Sequence, residues 1–224
     1  MESKKVLIDL SHTIENGLIT YKGLPAPVIC DYLSHQDSRH HYEEGTEFQI
    51  GKVEMVSNTG TYIDCPFHRF KYGKELSDVG LESFVDLDGI VISVPYTETL
   101  CVTEEHLKGY DLRNRAVLIR TGWDRHWNTD SYYENHPYVS EAAAVYLKDN
   151  EAKLVGIDSH NIDDTRGKKR PVHTTLLGAE ILIVEHLCKL DLLPQEGFTF
   201  TALPPKLKGM GTFPVRAMAK VDPQ

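Results

Sequence analysis

The stretch "VSEAAAVYLKDNEAKLVGIDSH", residues 139–160, holds a helix followed directly by a buried strand, and it decides the fold class. Ser140 is a good N-cap residue, and Glu141 places a carboxylate in the first turn, where the helix dipole favours it. Ala143, Ala144 and Leu147 supply an apolar face. "KLVGID" (153–158) is then too apolar to face water. Helix plus buried strand is an α/β unit.

Working outward, strand signals dominate. "KVLIDL" (5–10) is short, apolar and β-branched. "EFQIGKVEMV" (47–56) alternates through Phe48, Ile50, Val53 and Met55, with Gly51 or a bulge shifting the phase midway. "DGIVISVP" (88–95), "AVLIRTG" (116–122) and "EILIVEHL" (180–187) each predict a buried strand. "FTFTALP" (198–204) and "PVRAMAKV" (214–221) predict an antiparallel end. Two further short helices are expected, in "TEEHLKGY" (103–110), with Thr103 as N-cap, and over His173–Leu177. The expectation is a strand-rich α/β chain. With no repeat, low-complexity tract or linker, residues 1–224 are expected to form a single domain.

Composition narrows the function. Of 224 residues 41% are hydrophobic and 25% charged, ordinary values for a soluble globular protein. The net charge of -9 argues against nucleic acid, since phosphate binding needs a concentrated basic surface. The basic cluster Lys168-Lys169-Arg170, with Arg166 nearby, reads either as a solvated loop or as a contact to an anionic substrate or partner subunit. The charged start "MESKKVLIDLSH" has too short an apolar run for a secretory leader, and no stretch reaches the ~20 apolar residues of a membrane span. Cys30, Cys65, Cys101 and Cys188 are scattered without close pairs, which suggests neither a zinc ribbon nor a disulfide framework. Together these features predict a cytoplasmic protein with reduced thiols and no membrane partner.

Three segments bring chemistry-bearing residues to strand ends. "SNTGTYIDCPFH" (57–68) offers Asp64 and His68, with Pro66 and Phe67 forcing a turn between them. "GIDSHNIDD" (156–164) offers Asp158, His160, Asp163 and Asp164. "VHTTLLGAEILIVEHL" (172–187) offers His173, then Glu185 and His186. Glu185 stands inside a hydrophobic run, and a buried carboxylate must find a cation, a donor or a proton. Three readings are open for it: metal ligand or catalytic group, ion pair with an arginine such as Arg120, or outward-facing strand residue. The lone His106 and His126 read as surface or satisfied core residues.

"NTGTYIDCPFH" resembles the hallmark of the cyclase family of metal-dependent hydrolases, His-x-Gly-Thr-His-x-Asp-x-Pro-x-His, a group that includes bacterial kynurenine formamidases and isatin hydrolases. "IDLSHTIENGLITYKGLP", "AVLIRTGWDRHW", "LVGIDSHNIDD" and "VHTTLLGAEILIVEHL" resemble its other blocks in the same order. The resemblance covers roughly residues 5 to 190. It implies an α/β fold with a central mixed β-barrel-like sheet flanked by helices, and a homodimer or higher homo-oligomer. Asn58 and Tyr62 stand where the two leading histidines would be, so the chain is placed in a subgroup defined by that replacement.

The resemblance also implies roles. Asp64, His173 and Glu185 become ligands of one divalent metal ion, zinc first and manganese second, with His173 and Glu185 twelve positions apart as in the family. His68 becomes the general acid/base beside a metal-activated water. The Tyr62 hydroxyl, from its place in the motif alone, reads either as a donor to the oxyanion or as an aromatic filling the space left by a lost metal. His160 is a reserve ligand, and Tyr21, Phe67 and Trp123 are candidate pocket residues. The expected activity is hydrolysis of a C–N bond in a small amide, formamide or lactam, or of a lactone, in an arylformamidase-like enzyme. The alternative is a non-hydrolytic cyclase, dehydratase or ligand-binding descendant with an impaired metal site.

Overall fold

The apolar runs become strands because β-branched and aromatic side chains fit a pleated, half-buried surface. The structure, a computed structural model, describes residues 5–223. The segment 1–4, which carries part of the charged N-terminal reading, lies outside the described residues. Thirteen strands occur among the described residues: β1 (Val6–Asp9), β2 (Val28–Leu33), β3 (Ile50–Glu54), β4 (Tyr62–Asp64), β5 (Leu87–Ser93), β6 (Cys101–Val102), β7 (Ala116–Arg120), β8 (Tyr138–Val139), β9 (Leu154–Ile157), β10 (Leu182–Glu185), β11 (Phe198–Thr201), β12 (Thr212–Pro214) and β13 (Met218–Val221). The α-helices are α1 (His35–Ser38), α2 (Pro66–Arg69), α3 (Glu141–Asp149) and α4 (Pro171–Gly178).

Nine strands form one mixed sheet in the order β1-β13-β11-β5-β7-β9-β10-β4-β12. Its centre, β5-β7-β9-β10, is parallel, and both flanks are antiparallel. The sheet curls into a half-barrel, and the chain itself requires this. In a flat sheet seven strand spacings of ~4.8 Å would separate β12 from β13 by ~34 Å. Only residues 215–217 join them, and four chain steps reach at most ~14 Å. Bonds across the curl follow, from the end of β1 to the chain just after β10: Ser11 bridges to Leu187, and Cys188 N–H donates to the Leu10 carbonyl (3.0 Å).

Period-two alternation sorts the central strands between two cores. Leu118, Leu154, Leu182 and Val184 face the concave side with Ile63, Phe198 and Phe200. Val117, Ile119, Val155, Ile157 and Ile183 face the helices, packing on Ala143, Ala144 and Leu147 of α3 and Leu176 and Leu177 of α4. Helix α3 forms where the sequence predicts it, with Ser140 Oγ accepting the Ala143 N–H at 3.0 Å. Helix α4 begins at Pro171, whose fixed φ suits the first turn. Among the described residues no helix is long and apolar enough to cross a membrane.

Two elements differ from expectation. "TEEHLKGY" forms only a 3₁₀ turn, Glu104–His106, in which His106 Nδ1 accepts the Thr103 N–H. The strand predicted over 47–56 is confined to β3 and pairs only with β2, as a two-stranded ribbon. Phe48, Ile50 and Val53 are exposed there, because no second layer covers the ribbon.

Candidate metal centre and active site

Register builds the site. In the β10–β4 ladder Glu185 stands opposite Tyr62, and in the β12–β4 ladder Thr212 stands opposite Asp64. Tyr62 and Asp64 are two residues apart and so share one face of β4. Directly after β4, Pro66 opens the single turn α2, and the His68 N–H donates to the Cys65 carbonyl at 2.9 Å. That turn holds His68, a third of its side chain exposed, over the end of the strand.

His173 arrives on the first turn of α4. Asp163 accepts the Val172 N–H (2.8 Å), the His173 N–H (3.1 Å) and the imidazole Nδ1–H (2.6 Å). One buried carboxylate thus caps the helix and fixes the imidazole. The other ring nitrogen is aimed at the sheet, with Nε2 3.6 Å from Asp64 Oδ2 and 3.7 Å from Glu185 Oε1. Asp64 Oδ2 is buried and has no hydrogen-bond partner among the described residues.

Asp64, His68 and His173 form a metal-capable cluster, with donor atoms within 4.8 Å of one another. Glu185 completes the rim of the same space. Its Oε1 accepts the Ile162 N–H at 2.7 Å, and its Oε2 accepts the Tyr62 hydroxyl at 2.5 Å. The Tyr21 hydroxyl lies 2.8 Å from that of Tyr62, accepts from Asn161 Nδ2 (2.9 Å) and donates to the His160 carbonyl (2.9 Å). Arg120 is not among the partners of Glu185, so the ion-pair reading is not what the fold adopts.

The electrostatics are those of anionic oxygens gathered around one imidazole. Burial pushes the Glu185 carboxyl up to about 7, against the opposing effect of His173. Burial alone would lower His173, but its bond to Asp163 and the charges of Asp64 and Glu185 carry it up to about 10. Both tyrosine hydroxyls are held well above their ordinary value, chiefly by burial and then by the Glu185 charge. Such a set calls for a cation. A divalent ion at Asp64 Oδ2, in place of the His173 proton, fits the orphaned oxygen and the mixed carboxylate–imidazole donors.

The remaining expected residues fall elsewhere. His160 lies outside the metal-capable cluster; it is buried against Tyr21 (ring centroids 4.5 Å), His136 (5.1 Å) and His186 (5.8 Å), and burial holds it neutral, down to about 3. Trp123 is buried, its indole N–H donating to the Tyr132 carbonyl, and Phe67 packs against the concave core. The Asn58 side chain accepts from Ser57 Oγ at 3.2 Å. Asp158 caps the 121–122 turn instead of facing the cluster. Arg166 pairs with Asp164 at 2.8 Å, and Arg170 donates to the Gly167 and Lys169 carbonyls. Asp163 is one of the candidates the sequence offers in 156–164, without a specific role, while Thr212 and Asn161 are not singled out by it. Asp163 had a local signal, a carboxylate shortly before a proline-initiated helix; Thr212 had none.

Comparison with known proteins follows the same lines. The model of the Cyclase family ("Putative cyclase") matches residues 8–164. The chain is 32% identical over 212 residues to a kynurenine formamidase of Geobacillus thermodenitrificans (strain NG80-2), covering 94% of this chain and 95% of that one. It is 28% identical to a kynurenine formamidase of Bacillus thuringiensis subsp. konkukian (strain 97-27), covering 95% and 96%. Among solved structures, isatin hydrolase A from Labrenzia aggregata superposes with a TM-score of 0.83 at 21% identity, covering 98% of this chain and 94% of that one.

These findings correct one expectation. The chain is not to be described as a subgroup defined by histidines lost to Asn58 and Tyr62. The histidines of the metal-capable cluster, His68 and His173, are both in place beside Asp64. The similarity runs to the family as a whole, over nearly the full chain.

Proposed function

The chain belongs to the Cyclase family, and on that footing we propose that it is a metal-dependent hydrolase of C–N bonds in small amides, formamides or lactams, with lactones as a further class. Asp64, His173 and Glu185 would hold one divalent ion, zinc first and manganese second. The observation that carries this reading is the convergence of Asp64 Oδ2 and Glu185 Oε1 on His173 Nε2, at 3.6 and 3.7 Å, with Asp64 Oδ2 buried and unpartnered. When bound, such an ion supplies Lewis acidity toward a carbonyl and lowers the pKa of water.

The protein's own groups do the rest. Asp163 keeps the His173 imidazole pointed at the site, the orientation a ligand needs before any ion arrives. His68 is the acid/base: it is the one partly exposed imidazole at the cluster, so it can take a proton from water and return it to the leaving nitrogen. Tyr62 gives its single proton to Glu185, so its part is to hold that carboxylate; the oxyanion role expected of it would need that bond to break. Tyr21 and Asn161 close the same network from the other side and exclude water from Glu185.

The proposal extends to a single domain over 1–224, a homodimer or higher homo-oligomer, a cytoplasmic setting and a small-molecule substrate. The four cysteines as free thiols and the uncovered apolar ribbon β2–β3 support those parts.

Elemental analysis of the freshly purified chain, beside Asp64→Asn and Glu185→Gln, tests the metal reading. About one divalent ion per chain, lost in both variants, is expected. No ion after incubation with zinc or manganese would overturn it and turn the search toward proton-transfer chemistry. Amide and lactone hydrolysis is then assayed on the loaded protein.

A further inference from the structure

Resting on the assignment of His68 as the acid/base, we propose that Thr212 is its positioning residue, setting the His68 tautomer and dividing the two oxygens of Asp64 between a proton relay and the cation. Thr212 is buried and stands directly opposite Asp64 across the β4–β12 ladder. Its hydroxyl contacts Asp64 Oδ1 and lies 2.7 Å from His68 Nδ1. His68 Nδ1 and Asp64 Oδ1 are themselves 3.7 Å apart, beyond direct hydrogen-bond reach. Thr212 closes that gap.

The proton count fixes the direction. A hydroxyl has one proton, and an ionised carboxylate only accepts, so the Thr212 proton goes to Asp64. Its lone pair then faces the imidazole, and His68 must carry its proton on Nδ1. Nε2 is left with the free lone pair, on the side of the ring away from the relay. The same bond occupies Asp64 Oδ1, while Oδ2 stays unpartnered, 3.6 Å from His173 Nε2. One threonine therefore orders both halves of the site.

An independent feature of the backbone supports the contact. A Cβ on Gly211 would lie 2.3 Å from His68 N and 2.6 Å from His68 Cα. Only glycine lets the start of β12 press against α2, where the Gly211 carbonyl accepts the Cys65 N–H at 2.8 Å. The close approach brings the Thr212 hydroxyl to His68.

The test reads the tautomer itself. Full-length protein labelled with ¹⁵N-histidine and loaded with zinc is examined by imidazole nitrogen–proton correlation in mildly alkaline buffer, with His68 assigned from the signals missing in His68→Gln. Wild type and Thr212→Ser are expected to show the Nδ1–H form. Thr212→Val is expected to move to Nε2–H, the form a free imidazole prefers, with kcat down about 10- to 100-fold and KM little changed. Thr212→Ala, which sets no methyl against Asp64, gives the same reading if the valine variant does not fold. Nδ1–H retained without the hydroxyl, or a full loss in Thr212→Ser, would overturn the proposal. If the loaded wild type hydrolyses no amide or lactone, the hydrolase reading fails, while the tautomer measurement still decides the role of Thr212.

Discussion

At the scale of single residues, the site is a problem of compensating charge. Three buried carboxylates, Asp64, Asp163 and Glu185, surround one imidazole, and His173 answers them as a cation when no metal does. Its folded pKa is raised above the unfolded value, from 6.5 to about 10. Its stabilisation of the ion-free chain is therefore complete below about pH 6.5 and is lost as pH rises through about 10. A metal must displace that proton, so binding should tighten with rising pH and release at least one proton per ion at neutral pH. Calorimetry in two buffers of different ionisation heat measures the release; none at all would mean that His173 is not a ligand. His68 carries a separate expectation. His68→Gln should lower kcat by about 10²- to 10⁴-fold while the metal content is unchanged. Loss of metal in that variant would make His68 a ligand instead.

At the scale of elements, loops and helix ends position the chemistry. Asp163 lies outside any strand or helix, yet it caps α4 and orients the His173 imidazole on the first turn of that helix. Asp163→Asn keeps the side chain's shape and removes its charge. We expect about 10- to 100-fold weaker metal binding, with about 0.3–1 kcal/mol lost at the helix start as the charge beside its dipole is removed. Equilibrium dialysis and a denaturant titration separate the two, and unchanged affinity would reduce Asp163 to a cap. The β2–β3 ribbon shows the opposite relation between pattern and environment. Its alternation is real, but an isolated two-stranded ribbon has no second layer against which to bury its apolar residues.

At the scale of the whole molecule, curvature is the decisive property. The three-residue link between β12 and β13 closes the sheet and brings Thr212 beside Asp64, 148 residues away in sequence. The concave face is packed to contact. A Cβ on Gly156 would lie 2.6 Å from Leu187 Cδ1 and 2.8 Å from Leu118 Cδ2. Gly156→Ala should therefore destabilise by about 1–3 kcal/mol through overpacking. Thermal unfolding with and without metal checks this, and a neutral result would mean that the two leucines move aside freely.

Much of this was legible from residues alone, and the reason is local. Ser140 with its alanine-rich face determined α3, Pro171 fits the start of α4, and the apolar runs determined β5, β7, β9 and β10, because capping and periodicity act within a few residues. Asp64, His68, His173 and Glu185 were legible as candidates by residue type, and their expected roles came from the resemblance to the family's motif rather than from local pattern; the fold gathers Asp64, His68 and His173 into one cluster. Strands β4 and β12 were not, being three residues each and stabilised by their ladder partners rather than by their own pattern. Nor were the roles of Thr212, Asn161 and Tyr21, whose partners come from register and curvature. The sequence by itself determined which groups could do chemistry. Only the tertiary structure decided which oxygen meets which nitrogen, because hydrogen bonds form over about 3 Å and depend on where distant strands are brought together.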